Sequence, residues 1–392
     1  MRILVEQSAY GMTNHGDTAM LQVSVRRLEK LWAKAYIEVI TSNAALPKEY
    51  CPTAHPLVDT WHERSQQVYL LADHQIDVIG QEKGHVDAVR KADFVMASGG
   101  GYIKDTFLSH GAEVLARLEE AINMSKPIAV MGQGFEPLSN PALRAKAQCV
   151  LPESELVGCR ERRIGRATLV ALGVDPTRIV VTGDDSVELS YRERLPAVGA
   201  GIGVNLRVAW YSGVDERKVE ILREVLHRAA RKHGAPLIPL PISMRSPSDA
   251  EYIKQLLKGY TYATNIGGGN LDDPLKIIGQ TGRCRVVVAG SYHAAVFALS
   301  QGIPVIGLSQ SPNYMNKFQG LNAQFGDDCH VLSFDDVDFP MKFAHALDQA
   351  WETAEQARPG LLENAEHQIE AGLAAYQRLY RQIEARSASV RR

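Results

Sequence analysis

The stretch VVVAGSYHAAVF, Val286 to Phe297, has the residues of a buried strand that turns into a helix, with His293 at the joint. Gly, Ser or Thr would suffice for such a turn. An imidazole there suits proton transfer or anion binding, because its ionisation lies near neutrality. A second polar group follows the first strand in YGMTNHGDTAM, where Gly11 and Gly16 flank Asn14 and His15 and Asp17 comes next. Asp17 fits a helix N-cap on physical grounds alone, but the polar pair beside it exceeds what a cap needs and can point into a cleft. Cations occupy comparable places: Arg207 with Asn205 in GIGVNLR, Arg245 with Ser243 in PLPISMR, and Lys317 with Asn313, Tyr314 and Asn316 in SQSPNYMNKFQG. A lone histidine at a helix start is more often structural, but arginine and lysine candidates on neighbouring strand ends weaken that reading here.

Glycine-rich loops follow other strands. ASGGGYIKD carries Gly99, Gly100 and Gly101, MGQGFEP carries Gln133 between two glycines, and NIGGGN carries Gly267 to Gly269. Such loops let a backbone approach a ligand or pack tightly against a neighbour. None is a GxGxxG or a P-loop. CRERRIGR crowds Arg160, Arg162, Arg163 and Arg166 at a helix start. Guanidinium groups there suit phosphate or carboxylate, whereas a charge run on a helix is otherwise a solvated face. Arg160, nearest the strand end, is the functional choice among them. Asp184 and Asp185 in TGDDS serve either a turn and cap or the border of a cleft.

These loops need a scaffold of parallel strands. Short Val- and Ile-rich runs alternate with amphipathic stretches, the pattern of sheets wrapped in helices. Strands are expected at RILVEQ, IEVIT, DFVMAS, PIAVMG, LVGCR and RIVVTG, with helices between them such as Asp17 to Ala33. The series restarts after a Pro- and Gly-containing segment, with strands at GIGVNLR, PLIPL, YATN, RVVVAG and PVIGL. An α/β fold of two doubly wound, Rossmann-like domains with parallel sheets facing an interdomain cleft is predicted. The expected domains are residues 1–192 and 198–360, with a helix at 361–392 packing back across the hinge. Ligands of such sheets bind at the carboxyl ends of strands, where these motifs fall.

Composition narrows the function classes. The 392 residues carry 43 Lys and Arg against 45 Asp and Glu, so no global field favours nucleic acid and an anion site needs local groups. The five cysteines, Cys51, Cys149, Cys159, Cys284 and Cys329, are scattered without metal-ligand spacing, which predicts reduced thiols, no metal and a cytoplasmic location. Glu6 interrupts any signal-peptide core, and no run of about 18 apolar residues predicts a membrane span. Peripheral contact with a membrane stays open, and nothing sets the oligomeric state.

Taken in order, NHGDTA, ADFVMASGGGYIKD, MGQG, LVGCRERR followed by LGV, IVVTGDDSVEL and SYHAAVFALSQGIPVIGLS resemble the polysaccharide pyruvyl transferase family over nearly the whole chain. The resemblance implies a GT-B-like fold and transfer of a pyruvyl group from phosphoenolpyruvate to sugar hydroxyls as a ketal, with no further cofactor. The partners so implied are phosphoenolpyruvate and a saccharide acceptor that is free, lipid-linked or nucleotide-linked, in polysaccharide biosynthesis for the cell envelope. Family members often have RLHA where this chain has SYHA, so Ser291 stands where an arginine is expected, and SPN replaces a DPK context. In this scheme His293 is an acid or a donor ligand. Lys317, with Arg207 or Arg245, holds the donor phosphate beside Ser291 and Asn313. Asn14 and Asp17, from the opposite lobe, position and deprotonate the acceptor, with His15, Gly99, Gly100, Gly101, Gln133 and Arg160 lining its pocket. The rivals are a nucleotide-sugar glycosyltransferase and a non-catalytic binding protein on the same fold.

Overall fold

The computed structural model describes residues 1–8, 10–59, 83–208, 214–263, 271–309 and 311–390. Gly267, Gly268 and Gly269 lie outside the described residues, as does the side chain of Asn313. The chain divides into two compact units. The N-terminal unit comprises Met1–Met12, Met20–Asp185 and Ile369–Arg392, and the C-terminal unit comprises Thr13–Ala19 and Ser186–Gln368.

In the N-terminal unit, seven parallel strands lie in the order β3-β2-β1-β4-β5-β6-β7. They are β1 (Arg2–Glu6), β2 (Tyr36–Thr41), β3 (His55–Val58), β4 (Phe94–Ala97), β5 (Ile128–Gln133), β6 (Leu156–Cys159) and β7 (Ile179–Val181). The helices between them are α1 (His15–Leu31), α2 (Ala45–Tyr50), α3 (Lys83–Lys91), α4 (Leu108–Asn123), α5 (Pro141–Val150) and α6 (Gly165–Ala171). The central strands are buried along their length, as parallel strands covered on both faces must be. One face packs Leu4, Val95, Val130 and Val157 against Val114, Leu115 and Leu118 of α4. The other packs Ile3, Val5, Met96 and Met131 against Leu21 and Leu28 of α1 and Tyr376 and Leu379 near the C-terminus. Each such side chain contributes roughly 1.5–3 kcal/mol when fully buried.

The C-terminal unit has five parallel strands in the order β12-β11-β10-β8-β9. These are β8 (Gly201–Asn205), β9 (Leu237–Pro239), β10 (Cys284–Ala289), β11 (Val305–Ser309) and β12 (Cys329–Ser333). They are wrapped by α7 (Ser186–Arg192), α8 (Glu216–His233), α9 (Asp249–Leu257), α10 (Pro274–Thr281), α11 (Tyr292–Ser300), α12 (Pro312–Phe325) and the start of α13 (Phe339–Val390). Local chemistry sets the helix ends. Asp215 caps α8 through the Lys218 N–H, Gly234 at φ +59° ends it, and Pro274 opens α10 behind the Asp273 cap. The first strand lies between the second and third, so the chain reverses direction across the sheet between β8 and β10. At such a switch point the loops diverge and leave a crevice beyond the strand ends.

Several expectations change. Of YATN, Thr264 and Asn265 lie outside the described residues, and Tyr262 and Ala263 form no strand, Ala263 making only an isolated bridge to Leu237. The helix expected at 361–392 is the second half of α13, which begins at Phe339 and runs through Pro359. Asn14, His15 and Asp17, expected in the N-terminal domain, group with the C-terminal unit, and residues 369–392 group with the N-terminal unit. Strands β3 and β12 escape the sequence pattern because each is short, partly exposed and at a sheet edge.

Candidate active site

The switch point of the C-terminal unit lies between β8 and β10. After β10 the chain turns at Gly290, whose N–H donates to the Asn205 carbonyl at 2.9 Å, so the loop after β10 lies against the end of β8. A side chain at Gly290 would meet the Arg207 nitrogen at 2.9 Å. Ser291 then caps α11, its hydroxyl accepting from the Ala294 N–H at 3.4 Å. That capping role accounts for a serine at this position. His293 follows in the first turn of α11, its side chain only 8% exposed and its ring edge-on to Tyr292 at 5.3 Å.

The segment Thr13–Asp17 closes over this turn. Asn14 forms an antiparallel bridge with Ser243 in the loop after β9. The His15 N–H donates to the Ile242 carbonyl at 2.9 Å, and the Met244 N–H donates to the Thr13 carbonyl at 2.8 Å. The Arg245 Nε donates to the Thr13 hydroxyl at 3.0 Å. Helix α1 therefore starts beside α11, and Gly16 lies so close to the His293 ring that a Cβ there would overlap it.

The cap of α1 is Asn14, not Asp17. The Asn14 Oδ1 accepts from the Gly16 and Asp17 N–H groups at 3.0 and 3.2 Å. Asp17 is thus the third residue of the helix and is not used as a cap. Its Oδ1 lies 3.9 Å from the His293 Nε2, beyond a hydrogen bond, with its side chain 17% exposed. At that separation one oxygen set off the line between them lies within hydrogen-bond reach of both. The acid or base pair anticipated from two opposite lobes belongs to a single unit.

Asp249 organises the neighbouring loop, a residue that sequence reasoning missed. It is fully buried, and its Oδ2 accepts from the Ile242 and Ser243 N–H groups at 3.0 and 2.9 Å and from the Asn205 side chain at 3.1 Å. Its Oδ1 pairs with Arg207 at 3.1 Å. Burial raises the pKa of this carboxyl, opposed by the Arg207 charge and the two backbone donors. An aspartate one residue after a serine at a helix start looks like an ordinary cap, so nothing in the sequence marks it. Arg207 is thereby tied to Asp249, whereas Arg245 is exposed. Lys317, partly exposed on α12, sets its Nζ 4.9 Å from the centre of the Tyr314 ring.

His15 is buried behind this surface. Desolvation lowers its pKa against the opposing charge of Asp273 and a hydrogen bond to the Leu271 backbone. Its Nε2 finds no hydrogen-bond partner among the described residues.

The remaining expected residues belong to the N-terminal unit. Gly100 and Gln133 form a bridge, with the Gly134 N–H donating to the Gly100 carbonyl at 2.7 Å, so the loops after β4 and β5 pair with each other. A side chain at Gly99 would overlap Met20, one at Gly100 would meet Tyr102 and Ser8, and one at Gly101 would lie 3.2 Å from Arg160. These glycines permit close packing. The Gln133 Nε2 donates to the Ser98 carbonyl at 2.7 Å, and Arg160 faces Asp184 at 3.6 Å. Asp185 is a buried acceptor for Arg27 at 2.5 Å and for the Ser24 and Tyr376 hydroxyls at 3.2 Å each. No group of three or more His, Cys, Asp or Glu able to hold a metal occurs among the described residues.

No curated sequence matches the chain significantly. Solved structures match its fold. A Listeria monocytogenes protein described as a UDP-N-acetylglucosamine 2-epimerase has a TM-score of 0.60 at 14% identity, covering 93% of this chain and 94% of its own. The UDP-GlcNAc 2-epimerase of Neisseria meningitidis, bound to UDP-GlcNAc, gives 0.55 at 11% identity over 95% and 99%. The glycotransferase of kitacinnamycin gives 0.56 at 12% identity over 97% and 98%. The fold is thus GT-B-like, two α/β units with parallel sheets. The family model for polysaccharide pyruvyl transferase matches residues 14–312, from the Asn14 cap through His293 to the first turn of α12, and the chain belongs to the polysaccharide pyruvyl transferase family.

Proposed function

We propose that the protein transfers the pyruvyl group of phosphoenolpyruvate to two hydroxyls of a saccharide, forming a ketal and releasing phosphate. One observation carries this reading: Asp17, not needed as a cap, and His293 sit on adjoining first turns of α1 and α11, 3.9 Å apart. In the reaction the methylene carbon of the donor takes a proton, leaving the adjacent carbon electron-poor. An acceptor oxygen bonds to that carbon. A second hydroxyl of the sugar then bonds there as the carbon–oxygen bond to phosphate breaks, and phosphate leaves with the electron pair. Of the two hydroxyl protons, one replaces that given to the methylene carbon and the other leaves on phosphate.

His293 is the proton donor in this scheme, and Asp17 takes the acceptor proton. The anionic donor is held by Arg245 and Lys317 together with the N–H groups at the start of α11, whose dipole favours negative charge. Arg207 acts through Asp249, fixing the loop that carries Ser243 and Arg245. The reaction belongs to the cytoplasmic face of cell-envelope polysaccharide synthesis, with an acceptor that carries two neighbouring hydroxyls.

The test is phosphate release from phosphoenolpyruvate across a panel of sugar acceptors. The His293→Gln variant should melt like the wild type and turn over about 100- to 10,000-fold more slowly. Wild-type turnover in that variant would remove His293 from the chemistry. A second reading, use of a nucleotide sugar, is favoured by fold relatives solved with UDP-GlcNAc. Calorimetric titration with phosphoenolpyruvate and with UDP-GlcNAc separates the two.

A further inference from the structure

The arginine run of CRERRIGR has no part in the site above. In the N-terminal unit, Arg162 and Arg166 line a cavity of about 710 Å³ with Arg378 of α13. Its floor is the outer strand β7, Ile179 to Val181, and its far wall is Ala371, Ala374 and Ala375 of α13. Alanine spacing of three and four places small side chains on one face of that helix, which leaves the space open.

No acidic residue lines the cavity. The Arg378 Nη2 donates to the Thr177 carbonyl at 2.6 Å and the Arg166 Nη1 to the Ile179 carbonyl at 3.5 Å, both neutral acceptors at the strand edge. Arg162 is exposed and makes no hydrogen bond or ion pair among the described residues. Two acidic groups near in sequence are engaged elsewhere: Glu161 accepts from the Ile164 and Gly165 N–H groups, and Asp175 from Thr177. Three arginines line one cavity, and the planar donors of their guanidinium groups match phosphate oxygens.

We infer that this cavity is a binding site for a phosphate or diphosphate group, separate from the candidate active site and independent of the pyruvyl transfer reading. Its apolar floor suits a phosphate that carries an apolar substituent. The phosphate is carried either by a soluble molecule or by a lipid headgroup.

The experiment titrates the full chain with pyrophosphate by calorimetry, using R162Q and the pair R166Q/R378Q, with R217Q, an exposed arginine on α8, as the control. Binding at least tenfold weaker in R162Q and in the pair, but unchanged by R217Q, is the expected result. R162Q serves as the second variant because Arg162 makes no internal contact whose loss would unfold the protein. Equal affinity in wild type, R162Q and the pair, or no binding by the wild type, overturns the inference. Sedimentation with phosphatidylglycerol vesicles that is lost in R162Q assigns the phosphate to a lipid, and pyrophosphate binding without sedimentation assigns it to a soluble molecule.

Discussion

Gly16 and His293 are in contact across the first turns of α1 and α11, and only the missing side chain of the glycine lets the imidazole stand where it does. Gly16→Ala therefore has to push the ring aside. Overpacking of this kind costs about 1–3 kcal/mol. A loss of turnover much larger than the fall in stability, read from rate assays and urea melts of the same preparation, is expected. Full turnover in Gly16→Ala would mean that the ring position does not matter.

Capping and chemistry fall on different residues. Asn14→Ala should cost about 0.5–2 kcal/mol of stability, as N-cap losses do. Asp17→Asn should leave the melting temperature close to wild type and lower the transfer rate about 100-fold or more. If Asp17→Asn destabilises the fold as much as Asn14→Ala does, the proposed base is structural after all.

Stability should decline on the acid side because of His15. Burial holds the folded pKa of His15 below its ordinary value. Below about pH 6.5 the unfolded chain binds a proton that the native chain does not, so unfolding is favoured as pH falls. The stabilisation is complete above that pH and is lost by up to about 1.4 kcal/mol per pH unit below it, until the folded pKa is reached. Urea melts of wild type and His15→Gln between about pH 8 and pH 5 measure it, and the variant should show a shallower slope. Parallel slopes would contradict the assignment.

Thiol reactivity follows burial. Burial pushes the thiols of Cys51, Cys159 and Cys329 up to about 12 and raises that of Cys284, whereas Cys149 is exposed. Mass spectrometry after maleimide treatment at neutral pH should find one modified cysteine in the native protein and all five after denaturation. Rapid modification of a second cysteine in the native state would show that one of the buried thiols opens.

The parallel sheets were legible because buried strands carry dense Val and Ile runs and end in Gly- or Ser-containing turns. His293 stood out for the same reason, an imidazole where a turn did not need one. The placement of residues 13–19 was not legible. A segment that follows the first strand is expected to stay with that strand's sheet, and only its pairing to Ile242, Ser243 and Met244 draws it elsewhere. Asp249 was hidden because its role depends on partners 44 and 42 residues away, Asn205 and Arg207. The glycines at 99–101 looked like a ligand loop, yet the same permissiveness serves packing against Met20, Tyr102 and Arg160.

The division of the chain has a consequence for dissecting it. A cut near residue 192 would leave the first fragment without Ile369–Arg392 and the second without Thr13–Ala19, each of which belongs to the other fragment's unit. The second fragment would retain His293 but lose Asp17. Separately expressed halves are therefore each incomplete, and any activity they regain on mixing would report exchange of these two segments.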